Sequence, residues 1–132
     1  ALEKHKFRKV YVMLGVNELG WVYEQVFIQR YGELVDELKR LQPDAVIYLQ
    51  AIMKVTTERS EQGDYITNEG IGARNAEIAE LADDQKIFFL DVNPLICDET
   101  GGMVASYTYD GVHLKAQYIP IWLDFLKEHA VE

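Results

Sequence analysis

A chain of 132 residues is long enough to bury one core, and it reads as a single domain over residues 1–132. With 48% apolar and 11% aromatic residues it belongs with globular chains rather than disordered ones. A formal net charge of −9 argues against the phosphate backbone of nucleic acid as a partner, and the single Cys97 excludes an internal disulfide. No apolar run approaches the length of a membrane span, and the N-terminus carries no apolar signal-peptide core.

Residues 1–8 are charged and polar and read as a loop or the tail of a preceding helix. Val10-Tyr11-Val12-Met13-Leu14 is a short apolar run, as expected for a strand buried on both faces of a parallel sheet. A turn follows, Gly15-Val16-Asn17-Glu18-Leu19-Gly20. From Tyr23 to Leu41 the apolar residues Phe27, Tyr31, Leu34, Val35, Leu38 and Leu41 recur at helical spacing, and Pro43 ends that helix. Val46 to Ala51 reads as a second strand. Lys54 to Tyr65 is polar and long for a connection between a strand and a helix; Ser60 reads there as a solvated loop residue. Asn68 to Leu81 predicts a helix with Ile71, Ile78 and Leu81 turned inward. Ile87 to Val92 predicts a third strand, stopped at Asn93-Pro94; Asp91 at its end has no evident partner. Asp98 to Gly102 is a surface turn, and a last helix runs to His129 with Tyr118, Trp122, Phe125 and Leu126 on one face and Pro120 near its start.

Strands alternating with helices imply a parallel sheet with right-handed crossovers and helices on both faces. Ligands of such sheets sit beyond the carboxyl ends of the strands. Gly15–Asn17 lies at such an end, and the loop after the third strand leads to Tyr109-Asp110-Gly111-Val112-His113-Leu114. A carboxylate three residues before an imidazole can hold the ring Nδ1–H, fix its tautomer and stabilise the imidazolium that a general base becomes. Each half has a plainer reading: His113 as a structural histidine, Asn17 as a turn or cap residue. His5 and His129 read as surface residues, and Trp21 and Tyr23 as core or substrate wall. No Cys/His cluster suggests zinc, no glycine-rich phosphate loop is present, and no cofactor is expected.

Taken together, Leu14-Gly15-Val16-Asn17-Glu18 and Asp110-Gly111-Val112-His113-Leu114 resemble the SGNH hydrolase (GDSL-like esterase/lipase) family, whose blocks carry Ser, Gly, Asn and His. The resemblance implies a three-layer α/β/α, flavodoxin-like parallel sheet, here only its last three strands. It implies that His113 is the general base and acid, that Asp110 orients it, and that Asn17 donates to the oxyanion from a turn made possible by Gly15. The substrate class would be a small carboxylic ester. The family's Gly-Asp-Ser block should precede Asn17, yet no residue before Asn17 is serine, and the chain holds only Ser60 and Ser106. Ser106 lacks the strand-to-helix elbow that exposes a nucleophile. The expectation is therefore the C-terminal part of such a domain, with the missing N-terminal segment as its partner, bringing the serine and covering the edge of the first strand. The alternatives are a catalytically silent module that keeps the scaffold to bind a ligand or partner, and a flavodoxin-like binding domain with coincidental motifs.

Overall fold

The computed structural model describes residues 6–13 and 24–130. Three strands, β1 (Lys9–Val12), β2 (Val46–Gln50) and β3 (Ile87–Leu90), form a parallel sheet in that order. The helices are α1 (Glu24–Leu41), α2 (Thr57–Ser60), α3 (Asn68–Ala79), α4 (Asn93–Ile96) and α5 (Ile119–Glu128). Short 3-10 turns at Ala105–Tyr107 and Ala116–Tyr118 punctuate the late loop.

Strand alternation assigns the two faces. Ile47 and Leu49 of β2 join Val12, Ile87 and the inward residues of α1 and α3: Phe27, Tyr31, Val35, Ile71 and Ile78. Tyr48 points the other way, into a second core with Leu90, Ile96, Met103 and Phe125 of α5. The two crossover helices, α1 and α3, lie on one face, as two crossovers of one hand in a sheet that grows in one direction require, and α5, which follows the last strand, covers the other. Registered positions Tyr11, Tyr48 and Phe88 form an aromatic row across the second face, with centroids 4.8 and 6.0 Å apart. The helix spacing of α1 is as read from the sequence, and Gln42 and Pro43 close it, the Gln42 N–H still donating to the Leu38 carbonyl at 2.8 Å.

β1 is shorter than its apolar run. It ends at Val12, and Tyr11 and Met13 remain 38% and 37% exposed. β2 is paired on both sides and buried, whereas among the described residues β1 is paired on one side only. β3 likewise stops at Leu90. Asp91 does have a partner, its carboxylate accepting from the Asn93 N–H at 3.0 Å, and this turn starts α4, which the sequence reading missed.

Residues 51–56 correct a second expectation. Ala51 still pairs with β3, its N–H donating to the Leu90 carbonyl at 2.8 Å, but residues 52–56 run on with no strand partner among the described residues, and Ile52, Val55 and Thr56 are buried. A buried peptide group left unpaired costs on the order of 1–3 kcal/mol. Three asparagines meet that demand, because a carboxamide carries a donor and an acceptor spaced like those of a peptide. Asn75 of α3 accepts from the Ile52 N–H at 2.7 Å and donates to its carbonyl at 3.0 Å. Asn68 does the same for Val55, at 2.8 Å in both directions. Asn93 donates to the Ile52 carbonyl at 3.0 Å and accepts from the Lys54 N–H at 2.7 Å. Residues 52–56 are therefore a fixed shelf at the carboxyl end of β2, with α2 after it.

Candidate active site

Asp110 and His113 come together on the loop that precedes α5. Cys97 and Met103, then Thr108 and Leu114, form isolated antiparallel bridges that fold this loop back on itself. Between Thr108 and Leu114 the chain turns through Gly111 at φ +84°, the left-handed conformation that favours glycine. The turn lets one carboxylate serve four donors. Asp110 Oδ1 accepts from the Val112 and His113 N–H groups, both at 2.8 Å, and from the Thr108 hydroxyl at 3.2 Å. Oδ2 is left for His113 Nδ1, 2.7 Å away.

These donors act in the order His113 N–H, His113 ring, Val112 N–H to hold the Asp110 carboxyl far below the ordinary carboxylate range, so it is ionised at neutral pH. The side chains are 54% (Asp110) and 82% (His113) exposed. A solvated pair of this kind contributes roughly 0–1 kcal/mol to stability. Its consequence is orientation: with Nδ1 committed to Asp110, the ring presents Nε2, which has no partner among the described residues.

An apolar cavity of about 230 Å³ lies at the ring, walled by Met13, Met53, Leu114, Ile119, Trp122 and His113 itself. Met53 is carried by the asparagine-pinned shelf. Trp122 is fixed by donation from its Nε1 to Gln50 Oε1 at 2.9 Å, a tie spanning 72 residues of sequence. A larger, polar cleft of about 410 Å³ lies on the Asp110 side, among Thr57, Glu58, Arg59, Asp98 and Tyr109. Tyr109 is 87% exposed, with Lys115 Nζ 4.4 Å from its ring centroid.

Neither cavity is lined by a serine. Ser60 is not the solvated residue expected: it is partly buried, and its hydroxyl accepts from the Asn68 N–H at 2.9 Å, at the start of α3. Ser106 is exposed on the 3-10 turn Ala105–Tyr107. Gly15, Asn17, Glu18, Trp21, Tyr23 and His5 lie outside the described residues. Met13, the last described residue before the Gly15–Asn17 block, does line the His113 cavity. His129 is bound locally, its Nδ1 2.9 Å from the Phe125 carbonyl. Met53, Trp122 and the three asparagines went unnoticed in the sequence as site residues, because their partners are long-range; Trp122 was read only as part of a helix face.

Among the described residues no group of three or more His, Cys, Asp and Glu side chains is placed to hold a metal ion, and no helix is long and apolar enough to cross a membrane.

The sequence profile of the GDSL-like lipase/acylhydrolase family matches residues 1–117. The chain belongs to that family. No curated protein sequence matches significantly. Among solved structures, the chain is similar to a protein from Streptococcus pneumonia provisionally described as a platelet activating factor, with 27% identity and a TM-score of 0.81 over 92% of this chain and 58% of that one. A GDSL-like lipase from Bacteroides thetaiotaomicron matches with 22% identity and a TM-score of 0.72, over 92% and 60%. A mutant of an acetyl-xylooligosaccharide esterase from Geobacillus Stearmophilus matches with 20% identity and a TM-score of 0.65, over 95% and 60%. The chain thus spans somewhat under two thirds of the length of these three proteins and carries three parallel strands of their α/β fold.

Proposed function

We propose that this chain supplies the His–Asp arm of a serine acylhydrolase that cleaves a small carboxylic ester, the serine coming from polypeptide outside residues 1–132. One observation carries the reading: the 2.7 Å contact from His113 Nδ1 to Asp110 Oδ2, which leaves Nε2 without a partner among the described residues, beside an apolar cavity. In this reading Nε2 takes the serine hydroxyl proton as that oxygen attacks the ester carbonyl, and Asp110 steadies the imidazolium. His113 then returns the proton to the leaving alcohol, and water repeats the sequence on the acyl-enzyme. Asn17 donates to the oxyanion of each tetrahedral intermediate, on a turn that Gly15 permits; losing such a donor costs on the order of 10²–10³ in rate. β1 ends the strand order among the described residues, with Tyr11 and Met13 more than a third exposed, and this supports a further strand of the same domain as the missing partner.

The test uses the intact gene product that contains this chain. Short-chain p-nitrophenyl esters should be hydrolysed, with the activity abolished in His113→Ala and reduced in Asp110→Asn. A fluorophosphonate, which traps an activated serine covalently, should label a residue outside 1–132. Labelling of Ser60 or Ser106 would refute the assignment of the serine. Absence of both turnover and labelling would favour a silent, ligand-binding module.

A further inference from the structure

The Asp110–Gly111 turn does not stand by itself in solvent; it is seated on α2. The Thr56 N–H donates to the Gly111 carbonyl at 2.9 Å. The Thr56 hydroxyl caps α2 by accepting from the Arg59 N–H at 3.1 Å. A Cβ placed on Gly111 would lie 2.8 Å from Arg59 Cβ and 3.3 Å from its Cγ, so the turn rests directly on the Arg59 stem. The head of that side chain is also held. Its two terminal nitrogens meet Asp64 Oδ1 at 3.0 Å and Oδ2 at 2.9 Å, a two-pronged geometry only a guanidinium makes. Asp64 is anchored in turn by the Ile66 N–H at 3.0 Å.

We infer that Arg59, clamped by Asp64, is a positioning residue for the Asp110–His113 pair: its stem sets the height of the Gly111 turn, and the clamp keeps its guanidinium from competing with His113 for the Asp110 carboxylate. The two parts have separate physical grounds. The stem contact is steric and lies within ordinary packing distance of the residue next to Asp110. The clamp is electrostatic. Arg59 senses the Asp110 charge as well as that of Asp64, so an unclamped guanidinium has a second carboxylate within its field. An Arg–carboxylate fork is stronger than a single bond to an imidazole, and Asp64 occupies it. The polar loop between β2 and α3 thereby governs a site contributed by a loop some fifty residues later in the chain.

This inference rests on the proposed hydrolase only for its kinetic consequence; its spectroscopic consequence is independent. The intact gene product is labelled with ¹⁵N-histidine, and the ring nitrogen resonances of neutral His113 are used to measure the share of the Nδ1–H tautomer. That tautomer should dominate in the unsubstituted protein. Arg59→Ala keeps Cβ but removes Cγ and the rest of the stem under the turn, so it should shift the ring toward Nε2–H, and kcat for a p-nitrophenyl ester should fall about tenfold or more at nearly constant KM, as expected when a catalytic group is displaced by a fraction of an ångström to an ångström. Arg59→Lys, which keeps a stem and a charge for Asp64, should restore most of the tautomer. Asp64→Asn keeps the stem and loosens the head, so it should produce a partial shift; it also serves if Arg59→Ala does not fold. A tautomer ratio unchanged in Arg59→Ala, or in Asp64→Asn where it stands in, with only a lower unfolding midpoint, would overturn the inference. A ratio that responds in a protein without ester turnover would sustain it while removing the hydrolase reading.

Discussion

The tight seat of Gly111 on Arg59 makes Gly111→Ala an informative substitution, with Gly101→Ala as its internal control. Both glycines have left-handed φ, +84° and +88°, so both alanines incur the same backbone strain of about 1–2 kcal/mol. Both also gain a roughly 0.4–1 kcal/mol reduction in unfolded-chain entropy. They differ in what the new methyl meets. At Gly101 nothing lies within 4 Å, and the net cost should be about 1 kcal/mol or less. At Gly111 the methyl would sit 2.8 Å from Arg59 Cβ and 3.1 Å from Thr56 Oγ1. Reaching an ordinary carbon–carbon separation of about 3.5 Å requires a retreat of roughly 0.7 Å against a stem fixed at both ends. Overpacking of that kind costs about 1–3 kcal/mol, giving roughly 2–4 kcal/mol in all for Gly111→Ala. Urea unfolding of the intact gene product, read as the change in midpoint at constant slope, measures both. Equal destabilisation by the two alanines would show that the turn is not pressed onto α2, and the seat assigned to Arg59 would go with it.

Three other outcomes follow from single features. Asn75→Ala leaves the buried Ile52 N–H unpaired while its carbonyl keeps Asn93, so a loss of about 2–3 kcal/mol in urea unfolding is expected; a change below about 0.5 kcal/mol would mean the shelf does not need its carboxamide. The Tyr31 hydroxyl is buried without a partner among the described residues, and burial pushes its phenol up to about 12, so Tyr31→Phe should be neutral or stabilising by thermal melting. Asp83 accepts from the Ile87, Gln85 and Lys86 N–H groups, which lower its carboxyl to about 2. A folded-state value below the unfolded one, about 3.9, means this stabilisation is complete above pH 4 and is lost as pH falls through 2. Asp83→Ala should flatten that acid limb of the stability curve, and an unchanged limb would assign it to other carboxylates.

Orientation, rather than stability, is what the exposed His113–Asp110 pair contributes, and that explains how it could be read before any coordinates. An aspartate three residues ahead of a histidine needs only one turn to close, so the contact is almost entirely local. The same holds for the short apolar run that marked β2 and the 3.6-residue period that marked α1, because each is a property of neighbouring residues alone. The paired Gly15–Asn17 and Asp110–His113 blocks carried the family for a similar reason: order along the chain is retained whatever the fold does.

The shelf, the seat and the cavity wall were settled in three dimensions. Asn68 and Asn75 look like ordinary helix residues and Asn93 like a strand stop until Ile52 and Val55 are found buried without a strand partner, with bonds that reach 13, 23 and 41 positions along the chain. Ser60 reads as a surface hydroxyl until α3 is seen to begin on it, and Trp122 reads as core until Gln50 fixes its indole beside His113. Sequence determines which residues can make such bonds. Which of them do is decided by tertiary structure, because a buried peptide group accepts whatever donor or acceptor the packing of distant elements delivers to it.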